Sequence, residues 1–419
     1  MSLKINKSKL AALPVLALYI LIIISDIVNT SLSKYTVIIM VILYSVYCIY
    51  VSAKRKGSSF ISDYFYILIY LFIIESMTLI NGFNRGLYTI IGEMLAPLFI
   101  VASLIIGYEL QDVCRNGGMS LFFKGVILII TVAALEGVYE YIFKQNLFIP
   151  DYNIAVSGRV ASFFNHPIKY ATSMIVGIFL AFYLISKKNT KLIIIGLCIF
   201  GLFTSMSRSG WIACAISVVL LINASFRRKV SVRTLKIIGI IFVFIFVFFK
   251  SSIGANLIEI VSTRLSLVGD DTSTIQRLGS IQYILENLGT ERNPLTLFLG
   301  HGEGASGILM KNTVISWKNF GMTDNEYLLI LYDYGLIALS AVIAFFIKTS
   351  FSFLINYQQK SNIEKALMCI IISQCINAFF YEITNYRNCA YVVLICFGFF
   401  MRNNKDRVDN SSLAYGQNE

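Results

Sequence analysis

Long apolar runs recur along almost the whole chain, and they restrict its fold more than any other feature. Of the 419 residues, 57% are hydrophobic and only 14% are charged, whereas soluble domains carry about 25% charged residues. A soluble protein needs more polar residues than this to cover its surface. We therefore expect one integral membrane unit, although the length alone would allow two or three soluble domains.

Twelve apolar runs approach or reach the about 20 residues that a helix needs to cross a bilayer. They are apolar on all sides, as lipid-buried helices are. The predicted fold is an all-α, polytopic membrane protein with a single transmembrane helical domain over 1–402 and a disordered cytoplasmic tail over 403–419. The twelve predicted spans are 10–29, 35–51, 63–80, 88–107, 121–143, 167–186, 190–206, 210–225, 234–250, 326–347, 363–381 and 388–402.

The distribution of Lys and Arg predicts the orientation of these helices. With the N-terminus placed in the cytoplasm, the cytoplasmic segments hold 22 Lys and Arg residues and the short outer segments hold 7. Cytoplasmic loops are enriched in these residues, so both termini are expected in the cytoplasm. The net charge of +12 then reflects topology and affinity for the inner leaflet, and nucleic-acid binding is not expected.

One segment, 251–325, interrupts the succession of short loops between predicted spans 9 and 10. A loop of this length is uncommon unless it is functional, and the alternation of spans makes it extracytoplasmic. Within it, the apolar residues of 274–288 recur at helical spacing. This spacing predicts an amphipathic helix of a kind that can lie on a membrane surface.

Arginine residues gather in the predicted outer segments, although the topology rule disfavours them there. A guanidinium group binds two phosphate oxygens at once and stays charged, so the set suits a lipid-linked phosphate or diphosphate. Headgroup contacts or ordinary ion pairs are the alternative, chiefly for Arg85 and Arg387. The candidate diphosphate-binding residues are Arg159, Arg208, Arg264 and Arg277.

Carboxylates near the predicted membrane surface are candidates for proton transfer. Asp324, at the end of the long loop, could accept a proton from a sugar hydroxyl. An Asp before an apolar run is also a good helix N-cap, and the two roles are compatible. Glu136 and Glu140 lie inside a predicted span at i,i+4 spacing. They could line a cavity, be neutralised by an arginine, or couple ions in a transporter.

Metal and nucleotide sites are not indicated. The chain has only two His residues, His166 and His301, and its 8 Cys residues form no CxxC pair or Cys/His cluster. The glycine cluster at 299–307 lacks the GK[ST] ending of a nucleotide-binding loop and predicts a tight backbone turn. We therefore expect neither a metal nor a cofactor.

Several of these segments follow one another in a characteristic order over about 155–345. The order is SGRVASFFNHP with Arg159, TSMSRSGW with Arg208, the long loop with Arg264 and Arg277, GHGEG, and DNEYLLILYDYGLIAL beginning at Asp324. This order resembles the O-antigen ligase/polymerase family. The resemblance implies a metal-independent glycosyltransferase that acts on polyprenyl-diphosphate-linked glycans at the outer face of the bacterial cytoplasmic membrane.

The resemblance also implies residue roles. Arg208, Arg264 and Arg277 match the family's outer arginines by position, as Arg159 does less closely, and such arginines would stabilise the departing lipid diphosphate. Ligases of the family typically carry His immediately before the Asn of H-N-x-x-L, and Asp324 takes that place here. This difference favours a polymerase over a ligase.

The predicted function is therefore a polymerase that joins lipid-linked repeat units of a surface polysaccharide, such as a capsule or exopolysaccharide, with Asp324, Arg208 and Arg277 as catalytic residues. A ligase-type glycan transferase is the nearest alternative. A transporter or flippase of lipid-linked sugars, using Glu136 and Glu140, is the alternative from another class. Expected partners are the polyprenyl (undecaprenyl) diphosphate-linked oligosaccharide, membrane lipids, and flippase and chain-length regulator proteins.

Overall fold

The structure is a computed structural model that describes residues 11–56, 60–82, 87–149, 152, 158–226, 272–291, 293–315, 318–319 and 321–415. Helices dominate these residues. In chain order they are α1 (Leu13–Val28), α2 (Ser31–Lys56), α3 (Phe60–Gly82), α4 (Leu87–Phe143), a 3-10 turn (Ser162–Phe164), α5 (Pro167–Leu184), α6 (Lys188–Thr204), α7 (Arg208–Phe226), α8 (Thr272–Thr290), α9 (Pro294–Leu299), α10 (Ala305–Lys311), α11 (Glu326–Leu329), a π-helical turn (Ile330–Tyr334), α12 (Gly335–Asn356), a 3-10 turn (Tyr357–Gln359), α13 (Asn362–Asn377) and α14 (Arg387–Tyr415).

Five helical segments of the described chain are long and apolar enough to cross a membrane. They are Ser31–Lys54, Thr89–Cys114, Gly118–Phe143, Pro167–Leu184 and Glu326–Gln359. Three shorter apolar helices accompany them, namely Leu13–Val28, Ile67–Gly82 and Arg208–Ile222. The prediction of an all-α, multi-pass membrane protein is confirmed.

The predicted number of twelve spans is not reproduced. Helices α6, α13 and α14 occupy three of the predicted spans but do not meet the same length and apolarity as the five segments. The predicted span 234–250 and the first part of the predicted outer loop, 251–271, lie outside the described residues. Apolar runs alone do not fix the number of spans, because a helix buried among other helices can be as apolar as one that faces lipid.

The predicted disordered tail is another difference. Helix α14 continues to Tyr415, well into the segment 403–419. The tail's polar composition suggested disorder, yet it directly follows a long apolar helix. Helix formation is cooperative, so adding a residue to an existing helix costs less than starting a new one.

The core lies where α4, α5, α13 and α14 pack together, and α5 and α13 are buried along most of their length. Small residues bring α4 and α14 into close contact. A Cβ atom on Gly107 of α4 would collide with the backbone oxygen of Ile395, and one on Gly398 of α14 with the backbone of Leu104. Such small-residue contacts are typical of helices that pack within membranes.

The segment before α11 contains the helix expected for 274–288, which is α8. It also contains a short antiparallel hairpin of β1 (Val314–Ile315) and β2 (Lys318–Asn319), in which Val314 pairs with Asn319. Helices α9 and α10 flank the predicted glycine turn. This segment and the loop between α13 and α14 carry most of the candidate site.

Candidate functional site

Arg277 of α8 and Asp324 lie beside each other, as a site built from both residues requires. A terminal guanidinium nitrogen of Arg277 is 4.0 Å from Oδ2 of Asp324. Nε of Arg277 also donates to the backbone oxygen of Phe380 at 3.1 Å. Arg277 thus joins the described part of the long loop to the connection between α13 and α14.

Asp324 does not cap the following helix. Asn325 does so, because its side-chain oxygen accepts hydrogen bonds from the backbone N–H groups of Tyr327 at 3.0 Å and Leu328 at 3.2 Å. Asp324 itself has a φ of 51°, a left-handed conformation that is uncommon outside Gly, Asn and Asp. This turn directs its carboxylate toward Arg277, so the capping interpretation of Asp324 was wrong.

Two buried carboxylates fix the turn that contains Asp324. Glu382 accepts hydrogen bonds from the backbone N–H of Thr323 at 2.5 Å and from its hydroxyl at 2.6 Å. Glu326 accepts from the backbone N–H and hydroxyl of Thr384, and its own N–H donates to Ala378. The residues around Asp324 and the loop 378–386 therefore form one hydrogen-bonded unit.

Arg159 lies against the turn that leads into Arg208. Its Nε donates to the backbone oxygen of Ser205 at 3.0 Å, and the N–H of the next residue, Val160, donates to Thr204 at 3.0 Å. Arg208 begins α7 three residues after Ser205 and is half-buried. The structure thus places two of the predicted arginines on one small part of the molecule.

Tyr386 connects these two parts. Burial raises the pKa of its phenol; Asp324 and Glu382 raise it further, and Arg159 opposes them. The ring of Tyr386 stacks on the His166 ring with centroids 5.2 Å apart. Asp324 and Arg159 therefore both lie within electrostatic reach of one half-buried side chain.

The protonation of the site follows from its burial. Burial raises the pKa of Asp324 above the ordinary value for Asp, and the positive charge of Arg277 opposes the rise. Burial, together with the positive charges of Arg159 and Lys169, lowers the pKa of His166 to about 4. Nδ1 of His166 accepts from the N–H of Ile168 at 3.2 Å, so the neutral ring carries its proton on Nε2.

Glu136 and Glu140 accept hydrogen bonds from the segment that follows α4. Glu140 accepts hydrogen bonds from the N–H groups of Ser162 at 2.7 Å and Ala161 at 3.3 Å, and from the amide of Asn146. Glu136 accepts from the N–H of Leu147 at 3.2 Å. Both carboxylates hold the predicted outer segment after α4 in place, a role that the three alternatives from the sequence did not include.

A cavity of about 240 Å³ opens beside the Asp324 turn. We call it the acidic cavity, because four carboxyl groups face a single Lys in its lining. Two of its residues, Glu382 and Asn385, belong to the hydrogen-bonded unit around Thr323. The main polar side chains are those of Glu93, Glu303, Asp333, Glu382, Asn385 and Lys311.

The remaining predicted arginines divide into two groups. Arg264 and Arg85 lie outside the described residues. Arg387 interacts electrostatically with Asp26, whose carboxylate forms an ion pair of 3.0 Å with Lys169. Among the described residues, no group of three or more His, Cys, Asp or Glu side chains is arranged to hold a metal ion.

The sequence analysis did not identify His166, Glu382 and Tyr386 as parts of the site. Each lies next to a predicted span, where a polar residue is readily interpreted as a membrane-surface residue. Glu382 carried the one available signal, because a carboxylate in a very short outer turn needs a partner. Its partner, Thr323, is 59 residues away in the sequence, and sequence spacing does not reveal such a contact.

Comparison with known proteins finds a family that matches part of the sequence. A sequence model of the family described as O-antigen ligase matches residues 192–343, which include Arg208, Arg277 and Asp324. No curated protein matches the chain. The segment 192–343 of this multi-pass membrane protein is thus similar to the O-antigen ligase family.

Proposed function

We propose that the protein is a polysaccharide polymerase that joins polyprenyl-diphosphate-linked oligosaccharide repeat units at the outer face of the cytoplasmic membrane. The observation that carries this proposal is the proximity of Arg277 and Asp324, at 4.0 Å, inside the segment that matches the O-antigen ligase family. Transfer of a glycan from a lipid diphosphate needs a cation for the leaving group and a base for the attacking hydroxyl. The pair supplies one of each.

In the proposed reaction, an acceptor hydroxyl oxygen attacks the anomeric carbon of the donor sugar. A new glycosidic C–O bond forms as the bond from that carbon to the diphosphate oxygen breaks, and the electron pair leaves on the lipid diphosphate. The hydroxyl proton passes to Asp324 and then to solvent. Arg277 stabilises the negative charge on the leaving group, assisted by Arg208, Arg159 and Arg264.

The electrostatic environment supports this role for Asp324. Burial raises the pKa of its carboxyl group, and Arg277 limits the rise. A higher pKa makes the carboxylate a better proton acceptor, and the nearby guanidinium favours the ionised form. Both effects suit the carboxylate of Asp324 to general-base catalysis.

The choice of a polymerase over a ligase rests on Asp324, which takes the place of the His found in typical ligases of the family. The test is reconstitution of the purified full chain in lipid vesicles with the lipid-linked single repeat unit as the only glycan. A polymerase produces a ladder of longer lipid-linked chains. An absence of a ladder, followed by transfer when a different glycan acceptor is added, would overturn the polymerase proposal in favour of a ligase.

A transporter of lipid-linked sugars remains the alternative from another class, and the geometry gives it little support. The carboxylates of Glu136 and Glu140 bind backbone N–H groups of the outer segment instead of forming a hydrated path. Deleting the gene distinguishes the two functions. Loss of a polymerase leaves single repeat units displayed at the surface, whereas loss of a flippase leaves none.

A further inference from the structure

We propose that the acidic cavity binds one sugar unit of the acceptor, the unit with the attacking hydroxyl, and that it selects a neutral or amino-bearing sugar over an acidic one. This inference rests on the proposed function, since it assigns the acceptor side of the same site. It adds a binding subsite and a substrate preference to that function.

The first argument is position. Glu382 lines the acidic cavity, and the same carboxylate holds the backbone and hydroxyl of Thr323. The next residue is Asp324, whose charge acts on Glu382. A sugar bound in the cavity therefore lies beside the turn that carries the proposed base.

The second argument is size. Sites for drug-sized ligands usually measure roughly 300–1,000 Å³, and the acidic cavity measures about 240 Å³. It can hold one monosaccharide unit but not a repeat unit of several sugars. The remaining sugars and the lipid carrier of the acceptor would then extend through the open side of the cavity.

The third argument is rigidity. The carboxylate of Asp333 accepts hydrogen bonds from the N–H of Gly304 at 3.0 Å and from the N–H of Ser306 at 2.6 Å. The hydroxyl of Tyr334 donates to Glu303. Gly304 has a φ of 78°, so only a residue without a Cβ adopts this turn easily. The cavity wall is thus fixed before a ligand arrives, which lowers the entropy cost of binding.

The fourth argument is chemical. Carboxyl groups and the Lys311 ammonium form hydrogen bonds with hydroxyl groups, which both donate and accept. An amino sugar gains in addition from ion pairing with carboxylates. A uronic acid or a phosphate would add a negative charge to a group of carboxyls that already oppose one another's ionisation, Glu93 and Glu382 acting on Glu303, so the cavity disfavours it. The anionic diphosphate consequently binds at the arginines, and the accepting sugar binds in the acidic cavity.

Gly307 provides a steric test. A Cβ on this residue of α10 would meet the backbone oxygen of Gly321 at 3.3 Å, its one contact within 4 Å among the described residues, and Gly307 lines the cavity. Gly307→Leu therefore fills the cavity. The matched control is Gly289→Leu, since a Cβ on Gly289 meets nothing within 4 Å and Gly289 does not line the cavity.

The assay separates donor from acceptor. The donor is a preformed lipid-diphosphate-linked chain, and the acceptor is the oligosaccharide repeat unit on a simple alkyl group, which lacks a diphosphate and can only accept. We expect Gly307→Leu to raise the acceptor KM by roughly tenfold or more, as the loss of one or two good hydrogen bonds would. The donor KM should stay within about twofold, and Gly289→Leu should resemble the wild type.

A second measurement uses the wild-type protein and needs no variant. The same acceptor is supplied with the terminal CH2OH group of its accepting sugar oxidised to a carboxylate. We expect the oxidised acceptor to react at least roughly tenfold less efficiently, by the like-charge repulsion described above. Equal use of the oxidised acceptor, or a natural accepting sugar that is itself a uronic acid, would overturn the inference.

The outcomes also separate this inference from the proposed function. A wild-type protein that makes no polymer from lipid-linked repeat units contradicts the proposed function. A wild-type protein that polymerises, together with an inserted Gly307→Leu variant whose acceptor KM is unchanged, contradicts only the acceptor subsite. If Gly307→Leu does not accumulate, the oxidised acceptor decides the question.

Discussion

The arginines and the acidic cavity meet at the same turn but differ in how their charges are arranged. Arg159 and Arg277 each donate from Nε to a backbone oxygen of a loop, at 3.0 and 3.1 Å, so each cation is oriented by the chain itself. The carboxyl groups of the cavity instead surround a space of about 240 Å³. In the proposed function, this contrast assigns the anionic group of the substrate to the arginines and the hydroxylated sugar to the cavity.

The largest expected effect comes from removing the carboxylate of Asp324, the proposed base. Asp324→Asn keeps the shape of the side chain but cannot accept a proton, so we expect the rate of polymerisation to fall by about 10²–10⁴-fold. The base works only when ionised, and burial raises its pKa. The wild-type rate should therefore fall with decreasing pH through a value above the ordinary pKa of Asp, about 3.9. A pH–rate profile that is unchanged in Asp324→Asn would show that another group is the base.

The next largest effect tests the arginine side. Arg277→Ala should reduce polymer formation by about 10²–10³-fold, as removing one preorganised donor of a transition-state charge does. Arg277→Lys should restore little, because an ammonium group cannot make the paired contacts of a guanidinium. We expect the same of Arg208→Ala. Polymer length on gels, normalised to the amount of inserted protein, measures the effect.

A charge-matched control for these arginine variants is Arg402→Ala. Arg402 forms an ion pair of 3.4 Å with Asp112 and belongs to a predicted cytoplasmic segment. Its removal should leave polymer formation near the wild-type level. Full polymer from both Arg277→Ala and Arg208→Ala would end the assignment of the arginines to the diphosphate.

A third prediction concerns Glu140, whose carboxylate belongs neither to the arginines nor to the acidic cavity. Glu140→Ala leaves the buried N–H groups of Ala161 and Ser162 without their acceptor, and each such loss costs about 1–3 kcal/mol. We expect a lower melting temperature in detergent, with donor and acceptor KM values of the folded fraction unchanged. Glu140→Gln, which keeps an acceptor oxygen, should be milder. A changed donor KM would assign Glu140 to the site instead.

The smallest effect is expected for His166, which lies near the arginines yet is neutral. Its pKa of about 4 is below the ordinary value of about 6.5, so between these values the unfolded chain binds a proton that the folded chain does not. Stability should therefore fall as the pH decreases from about 6.5 toward 4. His166→Gln should flatten the melting temperature across this window. Its cost to the rate should be roughly two- to tenfold, the loss of one neutral hydrogen bond.

Parts of the site were accessible from the sequence to different degrees. Arg277 and Asp324 could be nominated because a guanidinium and a carboxylate at an outer membrane boundary are costly without a purpose. That Asn325 and not Asp324 caps α11 could not be foreseen, since both residues are good caps. The role of Glu140 stayed open between alternatives for a related reason. A buried carboxylate is equally well explained by a substrate path and by backbone N–H groups, and only the fold distinguishes them.

The sequence by itself determined that the protein lies in a lipid bilayer and that its fold is all-α. Apolar runs of span length force backbone hydrogen bonds to close within each helix, and this requirement is local. The tertiary structure alone decided which polar groups share a site. Arg277 contacts Phe380 across 103 residues and Glu382 contacts Thr323 across 59. Such contacts depend on how α8, α13 and α14 pack, and packing is a property of the whole chain.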